Sequence, residues 1–344
     1  MTNTHSLTDL GWSPFFLSQL DLDELETTKP ARVSHVHRDR VSVLTEDGPM
    51  ALVTETGTST GDIAVGDWVL AHPKEHRIVR RLDRKSTLQR GSEHHVRERQ
   101  LIAANIDTLF ITTSCNADFN VARLERYLAL AHDAEITPVI LITKADQTDD
   151  PATFVDQAKE LSRDLEVLAL NAKQTDSAAV LRPWCGKGQT VALVGSSGVG
   201  KTTLTNALTG GNAATQGIRE DDARGRHTTT GRSLHALPTG GWLVDTPGMR
   251  GLGVADVSYG IDATFPEISE LVDQCKFRDC KHEGEPGCAV IAAAEAGDIS
   301  PERLKRYQKL KREDYYATET QAEAHQRQRK FGKMVKASMK KKGR

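Results

Sequence analysis

The octet Gly195-Ser196-Ser197-Gly198-Val199-Gly200-Lys201-Thr202 restricts what this chain can fold into more than any other feature. It satisfies G-x-x-x-x-G-K-[ST] at every position. It follows an apolar run, Thr190-Val191-Ala192-Leu193-Val194, and opens a helical pattern through Thr203, Leu204, Ala207 and Leu208. Glycines at these places let the backbone curl so that its N–H groups face phosphate oxygens. Lys201 is then placed to reach the β- and γ-phosphates, and the Thr202 hydroxyl to ligate Mg²⁺. A strand–loop–helix of this kind belongs to an α/β domain, and the surrounding pattern agrees. Buried strands are predicted at 107–112, 138–142, 166–170, 190–194 and 242–245, with helices at 121–132 and 152–164. Strands alternating with helices imply a mostly parallel sheet.

Two further turns specify the nucleotide. Thr143-Lys144-Ala145-Asp146 follows the 138–142 strand. At a strand end, [N/T]-K-x-D reads guanine: the carboxylate accepts bonds from guanine N1–H and N2–H₂, while adenine leaves that buried charge unpaired. Asn171-Ala172-Lys173, after the next strand, fits the loop whose backbone N–H meets guanine O6. An ATP-dependent enzyme is the competing reading of the phosphate loop alone.

Asp245-Thr246-Pro247-Gly248 ends the last apolar strand, 44 residues after Lys201. Asp245 is expected to hold Mg²⁺ through water, and the Gly248 N–H to meet the γ-phosphate. Between lies Arg224-Gly225-Arg226-His227-Thr228-Thr229-Thr230. A switch loop needs a threonine hydroxyl on Mg²⁺. Thr229 is favoured, although spacing does not separate it from Thr228 and Thr230. Met249 stands where a Ras-like enzyme has its water-orienting Gln, so another polar group is required. His227 is the best local candidate. The base-reading turns precede the phosphate loop, the reverse of the ordinary order, which marks a circular permutation.

Cys275-x₄-Cys280-x-His282-x₅-Cys288 supplies three thiolates and one imidazole, the donor set of a closed structural Zn²⁺ site. Cys115 and Cys185 have no such company. Five cysteines, three of them clustered, fit a reducing compartment and a metal better than disulfides.

The rest of the chain divides by composition. Residues 1–30 form an acidic leader with an apolar cluster, Leu10, Trp12, Phe15, Phe16 and Leu20, suited to a short docked helix. Residues 31–94 read as short strands punctuated by Gly48, Gly57, Gly61 and Gly66, a small OB-like barrel closing on a basic strand (Arg77, Arg80, Arg81, Arg84, Lys85). Residues 100–260 are expected to form the circularly permuted GTPase domain, 261–325 a helical zinc-binding domain and 326–344 a basic tail. With 38% hydrophobic and 27% charged residues the chain is neither disordered nor a disulfide miniprotein. Its opening residues show no basic run ahead of an apolar core, and no stretch of about 18 apolar residues occurs, so neither a secretory signal nor a membrane helix is expected. The net charge of −2 hides nine Lys/Arg and no acid between Arg327 and Arg344, which points to a polyanionic partner.

The order T-K-A-D, N-A-K, G-S-S-G-V-G-K-T, R-G-R-H-T-T-T, D-T-P-G and C-K-F-R-D-C-x-H-x-x-E-P-G-C-A-V resembles the ribosome small-subunit-dependent GTPase family, RsgA or YjeQ, over residues 31 to about 320. The resemblance implies an OB-fold, a permuted GTPase domain and a zinc-binding C-terminal domain. It implies a cytoplasmic GTPase acting late in small-subunit maturation, binding 16S rRNA and stimulated by the subunit, with His227 catalytic. Two residues depart from the usual pattern: Thr143 replaces the Asn of N-K-x-D and Asn171 the Ser of S-A. Both remain polar and Asp146 is intact, so guanine preference is expected to survive. The expected ligands are GTP or GDP, Mg²⁺ and Zn²⁺; the expected partners are the small subunit and its rRNA, with no membrane and a monomeric chain. An rRNA-binding module with a non-hydrolysed nucleotide is the alternative.

Overall fold

The computed structural model describes residues 5–54, 60–91, 99–162, 164–174, 177–211, 232–245 and 255–318, with the side chains of 91 and 99 left aside. Its described residues group into two compact units. One is drawn from 1–89, 101–252 and 259–265, the other from 90–100, 253–258 and 266–344.

In the first unit, five strands follow the leader: β1 (Lys29–Val36), β2 (Val41–Thr45), β3 (Gly48–Leu52), β4 (Trp68–His72) and β5 (Arg77–Arg81). β1 pairs antiparallel with both β2 and β4, β2 with β3, and β4 with β5. Val53, just past β3, bridges in parallel to Arg77 of β5, so the order 1-2-3-5-4 returns to β1 and the sheet closes on itself. Alternation explains the curl. Val33, Val41, Val43, Leu52, Val69 and Ala71 point inward and are at most 1% exposed.

The leader contains α1 (Pro14–Leu17) and α2 (Leu22–Thr27). The expected single docked helix is instead a turn followed by these two short pieces. Leu10 and Phe16 are buried while Phe15 is not, and Trp12 and Phe16 pack on Trp68 with ring centroids 4.8 and 5.7 Å away.

A separate two-stranded sheet of β6 (Thr87–Gly91) and β7 (Arg99–Ala104) follows. Then come β8 (Thr108–Ser114), α3 (Val121–Asp133), β9 (Thr137–Thr143), α4 (Pro151–Lys159), β10 (Glu166–Ala169), α5 (Ser177–Val180), β11 (Thr190–Gly195), α6 (Lys201–Leu208), β12 (Ser233–Ala236) and β13 (Trp242–Asp245). The helix expected to reach 164 stops at Lys159: the Glu160 N–H bonds back to Asp156, and Leu161 turns into the core at 3% exposure. Strands β10-β9-β8-β11-β13 are parallel neighbours, and β12 lies antiparallel beside β13. β12 escaped the sequence reading because Ser233 to Ala236 carries one leucine and no apolar run. It also does what no local pattern signals. His35 of β1 pairs with Ser233, so the barrel and the parallel sheet form one continuous hydrogen-bonded sheet.

Arg32 stands at that junction, 1% exposed. Its guanidinium donates to Leu10 O at 2.5 Å, Thr190 Oγ1 at 2.6 Å and Asn105 O at 3.4 Å, tying leader, barrel and β11 together. Burial lowers its pKa to about 10, still well charged near neutrality. Removing it leaves buried acceptors without a donor. Arg32→Ala is expected to cost about 3 kcal/mol, read from urea unfolding. Arg32→Lys is expected to recover only part, because one ammonium lacks the planar fork that serves separate acceptors.

The second unit is helical. The chain reaches it through α7 (Ser258–Thr264), and it comprises α8 (Pro266–Val272), α9 (Ala289–Ala296) and α10 (Pro301–Thr318). Its core includes Ile268, Val290, Ile299, Leu304, Tyr307 and Leu310. Asp314 is buried and accepts from Val257 N at 2.9 Å. Among the described residues no helix is long and apolar enough to cross a membrane.

Candidate active site and metal centre

The C-terminal ends of parallel strands are where an open α/β sheet places its ligand. Here three such ends carry the three local motifs. β11 runs into the phosphate loop, β9 into Thr143–Asp146 and β10 into Asn171-Ala172. Hydrogen bonds along the sheet bring them together. Thr143 is fully buried, and its hydroxyl lies 2.5 Å from Val199 O of the phosphate loop and 3.0 Å from Thr113 O. An Asn amide brings two hydrogens to this place; Thr143 brings one, and it serves the phosphate loop. The link between base turn and phosphate loop is therefore kept. Ala145 N donates to Leu170 O at 3.3 Å, which joins the two base turns. Lys144 is left-handed at φ 59° and starts the 3-10 turn Ala145–Gln147, leaving Asp146 exposed at its tip. Asn171 Oδ1 accepts from Lys173 N at 3.0 Å, and Ala172 is buried behind it.

The phosphate loop needs its glycines. Gly195 has φ 145°, and a Cβ there would lie 2.1 Å from Thr112 O. Gly200 has φ 98° at the N-cap of α6. Ser197 and Gly198 are exposed and Val199 is buried beneath them. Lys201 Nζ folds over the loop, donating to Gly195 O at 2.8 Å and Ser196 O at 2.5 Å. Thr202 is exposed on the first turn of α6, and Thr203 beside it is half-buried. Asp245 closes β13 and pairs in register with Ser233. Its charge opposes the drop in pKa that burial imposes on His235. His227, Thr228, Thr229, Thr230, Gly248 and Met249 lie outside the described residues.

One group beside the loop escaped the sequence reading. Ser196 Oγ donates to Asp118 Oδ2 at 2.5 Å, and Asp118 is paired with Arg123 at 2.9 Å. Asp118 sits 78 positions from Ser196 in the loop after β8, and no motif marks it. This charge-assisted bond ties the Ser196 side chain to the loop after β8. Asp118→Ala is expected to weaken GDP binding about tenfold while leaving the unfolding midpoint nearly unchanged, measured by fluorescent-GDP dissociation.

Cys275, Cys280, His282 and Cys288 present ligand atoms all within 4.8 Å of one another. Sγ of Cys275 is 3.8 Å from Sγ of Cys288 and 3.6 Å from His282 Nδ1, and that nitrogen is 3.3 Å from Cys288 Sγ. A tetrahedron with bonds of about 2.3 Å puts its sulfurs about 3.8 Å apart, so the four residues fit one such ion. Local structure sets the cluster. Cys288 caps α9, accepting from Ile291 N at 3.5 Å, so the positive end of that helix faces its sulfur. His282 is left-handed at φ 58°, and Gln308 holds its carbonyl. Burial pushes its imidazole below the usual pKa, toward the neutral form that ligates metals. Glu285 ties the loop: the N–H groups of Lys281 and Glu283, with that of Gly284, hold its carboxylate at about 2. Cys115 and Cys185 are core thiols. Burial, with the Asp146 charge second, pushes the former up, and burial pushes the latter to about 12.

The cations of the barrel's basic stretch are largely paired. Arg80 is held by Glu24 of the leader in a two-pronged pair at 2.6 and 2.8 Å, which lowers Glu24 to about 2. Arg84 grips the buried Asp67 at 2.6 and 2.7 Å, and Arg77 pairs with Glu75. Three of the five cations in that stretch have carboxylate partners.

The comparisons with known proteins agree with this arrangement. The family profile described as RsgA GTPase matches residues 81–255. A protein of Mesorhizobium japonicum named small ribosomal subunit biogenesis GTPase RsgA is 56% identical over 92% of this chain and 92% of its own length. The chain belongs to the RsgA GTPase family. A second RsgA relative, from Vibrio vulnificus, is 46% identical over 96% of this chain and 95% of its own. Two solved structures share the fold of this RsgA-family chain. YjeQ from Thermotoga maritima superposes with a TM-score of 0.60 at 25% identity, covering 85% of this chain and 98% of that one. YloQ, described as a circularly permuted GTPase, gives 0.56 at 26%, covering 82% and 93%. Permuted order and Cys₃His cluster thus stand together in a family member, and the ATP-dependent reading falls.

Proposed function

We propose that this chain hydrolyses GTP as a late maturation checkpoint of the small ribosomal subunit, binding its rRNA and leaving when GTP is spent. The observation that carries this is similarity over 92% and 96% of the chain to proteins named for small-subunit biogenesis, on a chain whose base turn and phosphate loop are joined through Thr143. In this reading the barrel is an OB-fold, the helical unit is zinc-binding, and the domains divide near 31, 94, 100, 260 and 325. The basic tail contacts rRNA, and the protein is a cytoplasmic monomer.

Each residue then has a task. Asp146, with Lys144 packed over the base plane, selects guanine, and the Asn171-Ala172 loop meets O6. The backbone from Gly195 to Gly200 cradles the phosphates. Lys201 leaves its two carbonyls for the β- and γ-oxygens, and Thr203 supports the first turn of α6. Thr202 and Thr229, with Asp245 through water, are hard oxygen donors suited to Mg²⁺, which neutralises phosphate charge when bound. Gly248 senses the γ-phosphate and His227 orients the attacking water. Cys275, Cys280, His282 and Cys288 hold Zn²⁺ as a structural ion.

The test is GTP hydrolysis by the purified chain, alone and with increasing small subunits, with large subunits as control. Slow intrinsic turnover and saturable stimulation by small subunits alone are expected, since Met249 replaces the water-orienting Gln. His227→Ala is expected to lower the stimulated rate at least about a hundredfold with GTP still bound. Tight GTP binding without stimulation by either subunit favours the passive rRNA-binding alternative.

A further inference from the structure

The helical unit carries a concavity of about 420 Å³ between the Cys₃His loop and α10. That volume lies in the range of sites for small organic ligands, about 300–1,000 Å³. Its wall on α10 follows helix spacing. Tyr307, Lys311 and Tyr315 form one i, i+4 row, and Gln308, Arg312 and Tyr316 the row beside it. Lys281 and Glu283 face them from the metal-cluster loop. The floor is built: Tyr307 is 4% exposed against His282, ring centroids 6.3 Å apart, with Lys311 Nζ 5.8 Å above its ring. The rim is not core. Tyr315 is 58% and Tyr316 43% exposed, their rings 5.7 Å apart and steeply inclined at 67°. Arg312 pairs with Glu283 at 3.0 Å, but both are more than half exposed, and a pair so open gives way to a phosphate.

Aromatic faces interleaved with cations one helical turn apart, around a concavity, are the means by which proteins hold unpaired bases. The π-face takes the base and the cations take the backbone. An acidic peptide uses the cations but leaves both exposed tyrosine rings without work, and duplex RNA keeps its bases stacked inside. We propose that this concavity receives one unpaired nucleotide of RNA, its base against Tyr315 and Tyr316 and its phosphates beside Lys281, Lys311 and Arg312. The proposal rests on the small-subunit reading above and adds to it a defined single-strand site.

The experiment uses the full zinc-loaded chain and a fluorescent, unstructured RNA of about ten nucleotides, followed by anisotropy. Tyr315→Ala with Tyr316→Ala is expected to weaken binding about tenfold, while Tyr315→Phe with Tyr316→Phe stays near the parent, because stacking needs the ring and not the hydroxyl. Arg312→Gln is expected to reduce the slope of log affinity against log salt by about 0.7, one phosphate contact on a single strand. Photocrosslinking with thiouridine should map to residues 301–318 in the parent and leave them in the alanine pair. Zinc content, GDP binding and hydrolysis without subunits should be unchanged throughout. Alanine and parent chains of equal RNA affinity and crosslinking overturn the proposal. So does a phenylalanine pair that falls as far as the alanine pair, or displacement of the RNA by a duplex or by polyglutamate at equal concentration. If parent and alanine chains bind RNA alike while small subunits still stimulate the parent, the pocket alone is wrong. If small subunits leave the parent unaffected, the reading beneath it is wrong and the pocket falls with it.

Discussion

Asp146→Asn is expected to lower GDP affinity about a thousandfold and to let the chain bind xanthosine diphosphate instead. Guanine offers two donors on one edge, N1–H and N2–H₂, and a carboxylate accepts both. An amide presents one acceptor and one donor, so a donor faces the N2 amino group and one of the two bonds is lost. Xanthine carries an oxygen where guanine has that amino group, and the amide nitrogen then has an acceptor. The fold does not stand in the way. Asp146 is exposed at the tip of a 3-10 turn whose backbone is fixed elsewhere, by Thr143 on Val199 and by Ala145 on Leu170. Equilibrium binding of the two diphosphates measures the switch. A variant that keeps GDP within tenfold of the parent would remove Asp146 from base recognition.

Removing zinc is expected to unfold the helical unit and leave nucleotide binding intact. A structural Zn²⁺ in a small module contributes about 10–16 kcal/mol of apparent binding free energy near neutral pH, as much as the whole stability of a typical domain. The four residues stand at tetrahedral spacing in a unit whose buried side chains include Ile268, Val290, Ile299, Leu304, Tyr307 and Leu310. Without the ion, three sulfurs and a nitrogen within 4.8 Å of one another have no common partner. A strong chelator should release about one Zn²⁺ per chain and remove helical signal from 266–318, and Cys275→Ala should do the same without chelator. GDP affinity should change little, because the phosphate loop belongs to the other compact unit. Subunit-stimulated hydrolysis should be lost in both cases. Chelated protein with unchanged circular dichroism would make the cluster an ordinary group of thiols.

What was legible in the chain beforehand was what consecutive residues encode. The phosphate loop, the Thr143–Asp146 turn and the cysteine spacing each place a backbone conformation and a chemistry within a few positions, so reading them requires no knowledge of distant partners. The parallel strands were legible for the same reason, as short apolar runs such as Val139 to Ile142, all fully buried in the sheet. The permuted order was legible because it is simply order. Contacts that join distant positions were not. Arg32 looks like a surface cation on a barrel strand, and only the fold brings Thr190 within 2.6 Å of it, 158 positions away. Arg80 and Arg84 read as part of a basic strand, and only the fold brings Glu24 and Asp67 to them from 56 and 17 positions off. Asp118 means nothing until it reaches Ser196, and β12 has too few apolar residues to announce the strand that fuses barrel and sheet. Thr143 shows both sides. Its identity departs from the usual asparagine in the sequence, and only the folded backbone decides that one hydroxyl, 2.5 Å from Val199 O, preserves the link. Composition and spacing therefore determined which chemistry this protein carries. The pairing of charges and the joining of its strands were decided by tertiary structure, because electrostatic and hydrogen-bonding energies depend on separation in space and not along the chain.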